Sequence, residues 1–204
     1  MKTLLEIRTS LFGAEGQSTR LADRFAAKWL RENRDGRIVT RDLTPGAMPH
    51  LTADRYRAFG TPAERRTPEQ REDVACSDRL VDELKAAEVV AIAAPMYNFG
   101  IPSTLRDYFD HVARPGLTFR YTSAGPEGLV TGKKTYVFIT RGGIYTGDAD
   151  TQIPHLKQFL GFIGLTDVTF VLAEGLAMGE DVRERNLTSA RERIEGLYPL
   201  FAAA

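Results

Sequence analysis

Apolar residues along this chain form two kinds of pattern, short continuous runs and stretches with helical spacing. Five runs are typical of β-strands, and three of them are rich in Val, Ile, Phe or Leu with little alternation, as in strands covered on both faces. These predicted strands span residues 2–8, 37–43, 88–94, 134–141 and 167–173.

Stretches with helical spacing separate the predicted strands. In the first, Leu21, Phe25 and Trp29 recur every four residues and predict one buried face. Four more helices are predicted, at about residues 68–87, 105–112, 156–163 and 181–200. Alternation of strand and helix favours parallel pairing with right-handed crossovers. The predicted fold is therefore α/β, a three-layer α/β/α sandwich with a five-stranded parallel sheet in the order 2-1-3-4-5.

The 204 residues suit one domain over 1–204, but two segments interrupt the alternation. Residues 44–67, with three prolines and many arginines, predict a long irregular link. Residues 114–132 predict an insertion with aromatics between glycines and prolines. Loops of this length are uncommon in compact domains and tend to be functional.

Charge and cysteine content exclude several classes of protein. Lys plus Arg and Asp plus Glu both number 27, so no basic field is present to bind a nucleic acid through its phosphates. The single Cys76 excludes an intrachain disulfide framework and a cysteine-based zinc site, and no metal site is predicted. The apolar run within the first ten residues is too short and too charged for a signal peptide. No apolar run in the sequence is long enough to span a membrane. We expect a cytoplasmic protein.

Loop 1, residues 9–19, joins the first strand to the first helix. It contains small and polar residues, namely Thr9, Ser10, Gly13, Gly16, Gln17, Ser18 and Thr19. Hydroxyls and free N–H groups at the start of a helix suit a phosphate group. The alternative is that Ser18 only caps the helix. The glycine spacings of dinucleotide-binding and P-loop motifs are absent, which weakens both of those assignments.

Loop 2, residues 95–99, follows the third strand and reads Pro95, Met96, Tyr97, Asn98, Phe99. A plain turn needs Gly, Pro or Asn, and it does not need three large side chains. A flat ring system lying against this backbone would account for them, with backbone N–H and C=O groups reaching its polar edge. The alternative is a small satellite core or a subunit contact.

Loop 3, residues 140–145, follows the fourth strand and contains Thr140, Arg141, Gly142, Gly143 and Tyr145. The two glycines permit a close approach of the backbone to a ligand, although a Gly-Gly turn without a ligand is the alternative. Loops 1, 2 and 3 follow strands that are neighbours in the predicted order, where ligands of open parallel sheets bind. A phosphate loop beside two ring loops describes a mononucleotide with a flat aromatic head, and FMN fits that description.

Four segments resemble the FMN-dependent NADH-azoreductases, a family that also reduces quinones. They read APMYNFGIPSTLRDYFDHVARPGLTFRYT, GPEGLVTGKK, TRGG and FLGFIGLTDV, and with loop 1 the resemblance extends over nearly the whole chain. It implies a flavodoxin-like fold, with loop 1 at the phosphate and loops 2 and 3 on either flank of the flavin ring. The predicted cofactor-binding residues are Ser10, Gly16, Gln17, Ser18, Pro95, Met96, Tyr97, Asn98, Phe99, Thr140, Arg141, Gly142, Gly143 and Tyr145.

Tyr145 departs from the family, because some relatives have a His at this position near the pyrimidine edge of the flavin. Tyr145 could alter the flavin potential or substrate preference, or act only as an aromatic lid. The resemblance also implies a homodimer with two sites at the subunit interface. Phe119 and Tyr121 would then line the substrate site and, with residues of the 44–67 link, cover the flavin of the partner subunit. The aromatics of the insertion could also fold onto their own subunit.

The activity implied by the resemblance is a two-electron ping-pong reaction in which NADH or NADPH reduces FMN, and a quinone or azo compound then occupies the same space and is reduced. No catalytic side chain is predicted, since His50, His111 and His155 lie outside the three loops. His111 and His155 are expected to be surface or packing residues, and Asp107 and Asp110 to lie on a solvated helix face. Two other classes stay open, a flavodoxin-like electron carrier for protein partners and a flavin-free interaction protein.

Overall fold

The computed structural model describes residues 1–44, 46 and 48–197. Its centre is a parallel sheet of five strands in the order β2-β1-β3-β6-β7, and a separate antiparallel hairpin pairs β4 with β5. The strands are β1 (Thr3–Arg8), β2 (Arg37–Asp42), β3 (Val89–Pro95), β4 (Phe119–Thr122), β5 (Gly125–Gly128), β6 (Lys134–Thr140) and β7 (Asp167–Ala173).

Helices cover both faces of the sheet, as the sequence predicted. They are α1 (Gln17–Glu32), α2 (Ala53–Gly60), α3 (Pro68–Ala86), α4 (Ser103–Val112), α5 (Gln152–Ile163) and α6 (Glu180–Glu195). One apolar cluster joins α1 and α6 to the sheet through residues such as Phe25, Trp29 and Ile194. The other joins α3, α4 and α5 to the opposite face, with Leu84, Leu105 and Leu160 among its members. The result is three layers.

The strand register brings the three loops to one edge of the sheet. β3 is buried along its whole length and pairs in parallel with both β1 and β6. Arg8 at the end of β1 lies opposite Ala93, and Pro95 at the end of β3 lies opposite Thr140. Loops 1, 2 and 3 therefore leave the sheet side by side.

Three features differ from the sequence-based prediction. The numbering 2-1-3-4-5 does not match, because β4 and β5 form an unpredicted hairpin inside the insertion. The link is not wholly irregular, since α2 forms there with the Thr52 side chain accepting from the Arg55 N–H. The last helix ends at Glu195, and the predicted end at residue 200 lies outside the described residues. No helix within the described ranges is long and apolar enough to cross a bilayer.

Candidate cofactor and substrate site

The three loops enclose one small cavity at the carboxyl edge of the sheet. Its volume is about 180 Å³. It is lined by Ser10, Phe12, Gly16, Gln17, Pro95, Met96, Tyr97, Thr140, Arg141, Gly142 and Leu176. All three loops therefore contribute predicted residues. Of the other predicted cofactor residues, Ser18, Asn98, Phe99, Gly143 and Tyr145 lie outside this lining.

The start of α1 carries polar groups that have no hydrogen-bond partner among the residues the structure describes. The helix begins at Gln17 with Gly16 as its N-cap and no side-chain cap, so the interpretation of Ser18 as the capping residue is wrong. The first N–H groups of a helix lack intrahelical acceptors. The hydroxyls of Ser18 and Thr19 are buried, and among the described residues they have no hydrogen-bond partner. A phosphate bound at the start of α1 would accept hydrogen bonds from these donors, so the residues present fit the phosphate group of FMN.

Gly16 allows loop 1 to fold tightly against Ser10. A Cβ atom at position 16 would overlap the Ser10 hydroxyl and lie 2.5 Å from the Ser10 Cβ. The Ser10 Oγ accepts a hydrogen bond from the Phe12 N–H at 3.2 Å. A side chain at position 16 would therefore displace the residue that shapes this end of the cavity.

Loop 2 forms a strained two-residue turn. The N–H and C=O groups of Tyr97 and Gly100 bond to each other at 3.0 Å, and the two residues between them, Asn98 and Phe99, have φ angles of 49° and 66°. Turns with two positive φ angles favour Asn followed by Gly, so a Phe at the second position is costly. Phe99 is nevertheless 62% exposed. Strain combined with an exposed aromatic ring indicates a functional role for this turn.

Hydrogen bonds and ring contacts join the three loops to one another. The Tyr97 hydroxyl accepts from the Leu11 N–H at 3.1 Å, which connects loop 2 to loop 1. The Phe99 and Tyr145 rings meet edge to face at 5.9 Å, which connects loop 2 to loop 3. The Met96 N–H donates to the Thr140 carbonyl at 2.9 Å. Because the Tyr97 N–H is also used in the turn, hydrogen bonds from loop 2 to a ligand would come from Asn98 and Phe99.

The carbonyl groups of loop 3 are bound to the segment that follows β7. The carbonyls of Arg141, Gly142 and Gly143 accept from N–H groups of residues 175–177, each at 3.0 Å. Within the described ranges, the N–H groups of Gly142 and Gly143 make no hydrogen bond. Gly142 borders the cavity and Gly143 follows it, so these two N–H groups are available to the polar edge of a flavin ring.

The Arg141 side chain is part of the protein interior, where three side chains of the protein contact its guanidinium. Its guanidinium is fully buried between Asp150 at 2.8 Å and Glu174 at 3.1 Å. Its Nε–H donates to Gln152 Oε1 at 3.2 Å. Arg141 is nevertheless among the residues that border the cavity. The sequence analysis placed Arg141 at the cofactor but missed Asp150, Gln152 and Glu174, because single polar residues outside a motif give no signal.

A second, larger cavity lies on the other side of Tyr97. Its volume is about 670 Å³. It is lined by Leu11, Tyr97, Asn98, Phe99, Gly100, Ile101, Pro102, Ser103, Arg106, Thr151, Gln152 and His155. Tyr97 borders both cavities, so the two are adjacent. His155 lies in this wall and its ring also contacts Phe109, with centres 6.4 Å apart, as expected for a packing residue. Burial and then the charge of Arg106 lower the pKa of its imidazole.

Comparison with known proteins gives the same fold as the sheet topology described above. A family model described as "Flavodoxin-like fold" matches residues 1–197, almost the whole chain. The chain belongs to this flavodoxin-like family. The match accounts for the parallel sheet and for the placement of loops 1, 2 and 3 at its carboxyl edge.

Relatives of this flavodoxin-like chain carry more specific names within the family. A Burkholderia pseudomallei (strain 1710b) protein named FMN-dependent NADH:quinone oxidoreductase is 54% identical over 195 residues, which cover 95% of this chain and 98% of the relative. A protein of the same name from Cellvibrio japonicus is 48% identical over 196 residues, covering 96% and 98%. The crystal structure of an azoreductase from Bacillus anthracis strain Sterne has a TM-score of 0.89 and 27% identity, covering 98% of this chain and all of that one. The resemblance found in the sequence is confirmed.

Phe119 and Tyr121, which were predicted to line the substrate site of a partner subunit, lie on the β4–β5 hairpin of this flavodoxin-like chain. Phe119 is 5% exposed and packs on Phe162, with ring centres 4.3 Å apart. Tyr121 is 75% exposed and contacts Phe119 edge to face. Neither residue borders either cavity of its own subunit. Phe119 therefore belongs to the core beneath the β4–β5 hairpin, and only Tyr121 is presented outwards.

The two carboxylates of α4, Asp107 and Asp110, do not lie together on a solvated helix face. Asp107 is buried and lies 2.8 Å from Nδ1 of His50, so the expectation for this residue is wrong. Asp110 lies 3.4 Å from Nε of Arg106 at the rim of the larger cavity. His111 is fully buried and its Nε2 lies 2.9 Å from the Pro49 carbonyl, as expected for a packing residue. The His50 and His111 contacts fasten the link to α4.

Proposed function

We propose that this protein is an FMN-dependent NADH oxidoreductase that reduces quinones and azo compounds. The observation that carries the proposal is the cavity that loops 1, 2 and 3 form together, with the uncapped start of α1 at one end. The names of relatives that share about half of their residues with this chain support the same activity. FMN, when bound, supplies a two-electron carrier between NADH and the acceptor.

Each part of the cavity has a separate role in this proposal. The start of α1, with the Ser18 and Thr19 hydroxyls, would hold the phosphate. The 97–100 turn and the N–H groups of Gly142 and Gly143 would hold and orient the ring. We expect the reaction to need no obligatory general acid or base from a side chain, since the flavin carries the chemistry. Water at the open side of the cavity would supply protons.

NADH and the acceptor would occupy the same exposed side of the cavity in turn, because loops 1, 2 and 3 close the other sides. This order predicts ping-pong kinetics. Steady-state rates measured with NADH against a quinone and against an azo compound are expected to give parallel double-reciprocal lines. Intersecting lines would contradict a shared position for donor and acceptor.

The direct test of the cofactor is reconstitution. Purified protein incubated with FMN and then separated from free FMN is expected to be yellow and to unfold at a higher temperature than the protein without FMN. Mixing the yellow protein anaerobically with NADH is expected to bleach it rapidly. A protein that stays colourless would favour the flavin-free class. A yellow protein that NADH does not bleach would favour an electron carrier, a class that the net charge of zero already disfavours.

Assembly and location complete the proposal. A homodimer is supported by the exposed Tyr121 on the hairpin, which has no cavity in its own subunit and would cover the site of the partner. Light scattering is expected to give twice the mass of 22.7 kDa. A Tyr121→Ala variant is expected to change the KM for acceptors. A cytoplasmic location is supported by the single cysteine and is tested by cell fractionation.

A further inference from the structure

Three charged side chains meet at the base of loop 3. The Arg141 guanidinium is fully buried and lies 2.8 Å from Asp150 and 3.1 Å from Glu174. Both carboxylates are largely buried as well, with side-chain exposures of 15% and 21%. One positive and two negative charges leave this cluster with a net charge of −1.

Hydrogen bonds hold both carboxylates in fixed positions. The Asp150 Oδ1 also accepts from the N–H groups of Gln152 and Ile153 at the start of α5, both at 3.1 Å. The Glu174 Oε1 also accepts from the Tyr145 N–H at 3.4 Å. An amide in place of either carboxylate still offers an oxygen to these donors, so the charge can be removed while the contacts are kept.

The cluster lies beside the proposed position of the flavin ring. Arg141 borders the cofactor cavity, and the N–H groups of Gly142 and Gly143, which follow it, are available to the polar edge of the ring. The Arg141 Cζ also lies 5.8 Å from the centre of the Tyr145 ring. Reduction by NADH adds negative charge to a flavin ring, and charge near the ring is one means by which a protein sets its potential. Buried charges are screened less than exposed ones, so this cluster can act on the ring.

We infer that Asp150 and Glu174 are positioning residues that lower the reduction potential of the bound flavin by offsetting the positive charge of Arg141. The net negative charge of the cluster opposes the charge that reduction adds, which makes the reduced flavin a stronger electron donor to quinones and azo compounds. Neither carboxylate belongs to the described lining of the cofactor cavity, so both act through Arg141 and through their charge. This inference rests on the proposed function and assigns the groups that regulate its electron transfer.

The experiment measures the midpoint potential of FMN bound to the wild type, Glu174→Gln and Asp150→Asn, by anaerobic reduction in the presence of a reference dye. Each variant removes one negative charge. A unit charge acting over roughly 10 Å at an effective dielectric constant of about 20 changes an equilibrium about tenfold. The equilibrium in each variant is therefore expected to shift about tenfold towards the reduced form. For a two-electron couple, this factor raises the potential by about 30 mV.

Two further variants separate the charge from damage to loop 3. Glu174→Asp keeps the charge on a shorter side chain, so its potential is expected to stay close to that of the wild type. Glu83→Gln is the matched control, because Glu83 is a similarly buried carboxylate paired with an arginine, Arg41, and lies outside the described lining of both cavities. Its potential is expected to stay unchanged. A shift in Glu174→Asp as large as that in Glu174→Gln would assign the effect to position instead of charge and overturn the inference.

The affinity for oxidised FMN gives a readout that does not depend on turnover. Fluorescence titration is expected to give similar Kd values for the wild type and Glu174→Gln, because the added negative charge is present only after reduction. A large loss of affinity for oxidised FMN would make the carboxylate a support of the cavity alone and overturn the inference. If the wild type binds no FMN, or NADH does not reduce it, the proposed function fails and the inference with it. If NADH reduces the wild type and both amide variants keep its potential, only the inference is overturned.

Discussion

The side chains of Gln152 and Arg141 are both fully buried, and the Gln152 Oε1 accepts from the Arg141 Nε–H at 3.2 Å. The Gln152 amide nitrogen donates in turn to the carbonyls of Ala94 and Pro95, at 3.0 and 3.3 Å. One amide thus joins the end of β3 to the start of loop 3. These are the two strand ends between which the cofactor cavity opens, so Gln152 fixes their separation.

Replacing Gln152 is therefore expected to cost stability. Gln152→Leu leaves the Arg141 Nε–H and the two carbonyls without their partner in a buried setting, and we expect a loss of about 2–3 kcal/mol in the free energy of unfolding. Urea denaturation measures it. Gln158→Leu, on the exposed face of the same helix, is the control and should stay within about 0.5 kcal/mol of the wild type. Equal stabilities for the two variants would contradict the role given to Gln152.

The hydroxyl of Ser18 is expected to affect FMN affinity and not folding. Because this buried hydroxyl has no partner among the described residues, Ser18→Ala should leave the FMN-free protein as stable or raise its stability by up to about 1 kcal/mol. The same change should weaken FMN binding about tenfold or more, since a hydrogen bond to a charged phosphate is lost. Fluorescence titration of FMN and urea denaturation measure the two effects.

Ser77 provides the matched control for Ser18. It is equally buried, but its hydroxyl donates to the His111 carbonyl at 2.6 Å and accepts from Arg114 at 2.6 Å. Ser77→Ala should therefore cost about 1–3 kcal/mol of stability and leave the FMN affinity unchanged. If both alanine variants change the same quantity, the buried hydroxyl of Ser18 is not a ligand-binding group.

The sequence predicted the sheet, the helix faces and the three loops because each of these follows from local spacing. Leu21, Phe25 and Trp29 all face the core, and β3 is buried throughout, as its unbroken apolar run indicated. The burial of Phe119 could not be predicted, because an aromatic residue in an insertion looks the same in sequence whether it packs inwards or outwards. Its contact with Phe162 depends on how the hairpin folds back over α5, which local spacing does not contain.

Contacts between residues of different elements could also not be predicted from the sequence. Glu174 meets Arg141 because the parallel strands β6 and β7 end side by side, and Gln152 meets it because the start of α5 lies against loop 3. Asp107 was expected to be solvated, yet His50 reaches it from the link across 57 positions. In contrast, loop 2 could be recognised in the sequence, because its unusual residues are adjacent in the chain and the backbone strain lies at two of them, Asn98 and Phe99.

Relieving that strain should stabilise the protein at the expense of activity. Phe99→Gly creates an Asn-Gly pair in a turn whose two central residues both have positive φ, and we expect a gain of about 1 kcal/mol in the free energy of unfolding. Loss of the ring should lower kcat/KM for a quinone. Phe99→Ala removes the same ring but keeps a side chain at positive φ, so it should lower activity without the gain in stability. A stability gain in both variants would locate the cost in the exposed ring and not in the backbone.

Glu6 is expected to make folding stability depend on pH. Its carboxyl is buried in β1 and one of its oxygens has no partner among the described residues, although Arg8 lies 2.9 Å from the other. Burial raises the pKa of Glu6 from 4.5 to about 7, with Arg8 acting in the opposite direction. The folded protein therefore holds this proton more tightly than the unfolded chain does. The contribution of Glu6 to the free energy of unfolding is therefore largest below about pH 4.5, and it is lost as the pH rises from about 4.5 to 7.

The Glu6 contribution can be isolated by comparing urea midpoints of the wild type and Glu6→Gln between pH 5 and 7.5. We expect the free energy of unfolding of the wild type to fall relative to the variant by up to about 3 kcal/mol over this range, because the amide cannot lose a proton. Glu15→Gln, at an exposed position, should follow the wild type. A wild type that gains stability relative to Glu6→Gln as the pH rises would mean that the ion pair with Arg8 outweighs burial, and that the Glu6 carboxylate is charged in the folded protein.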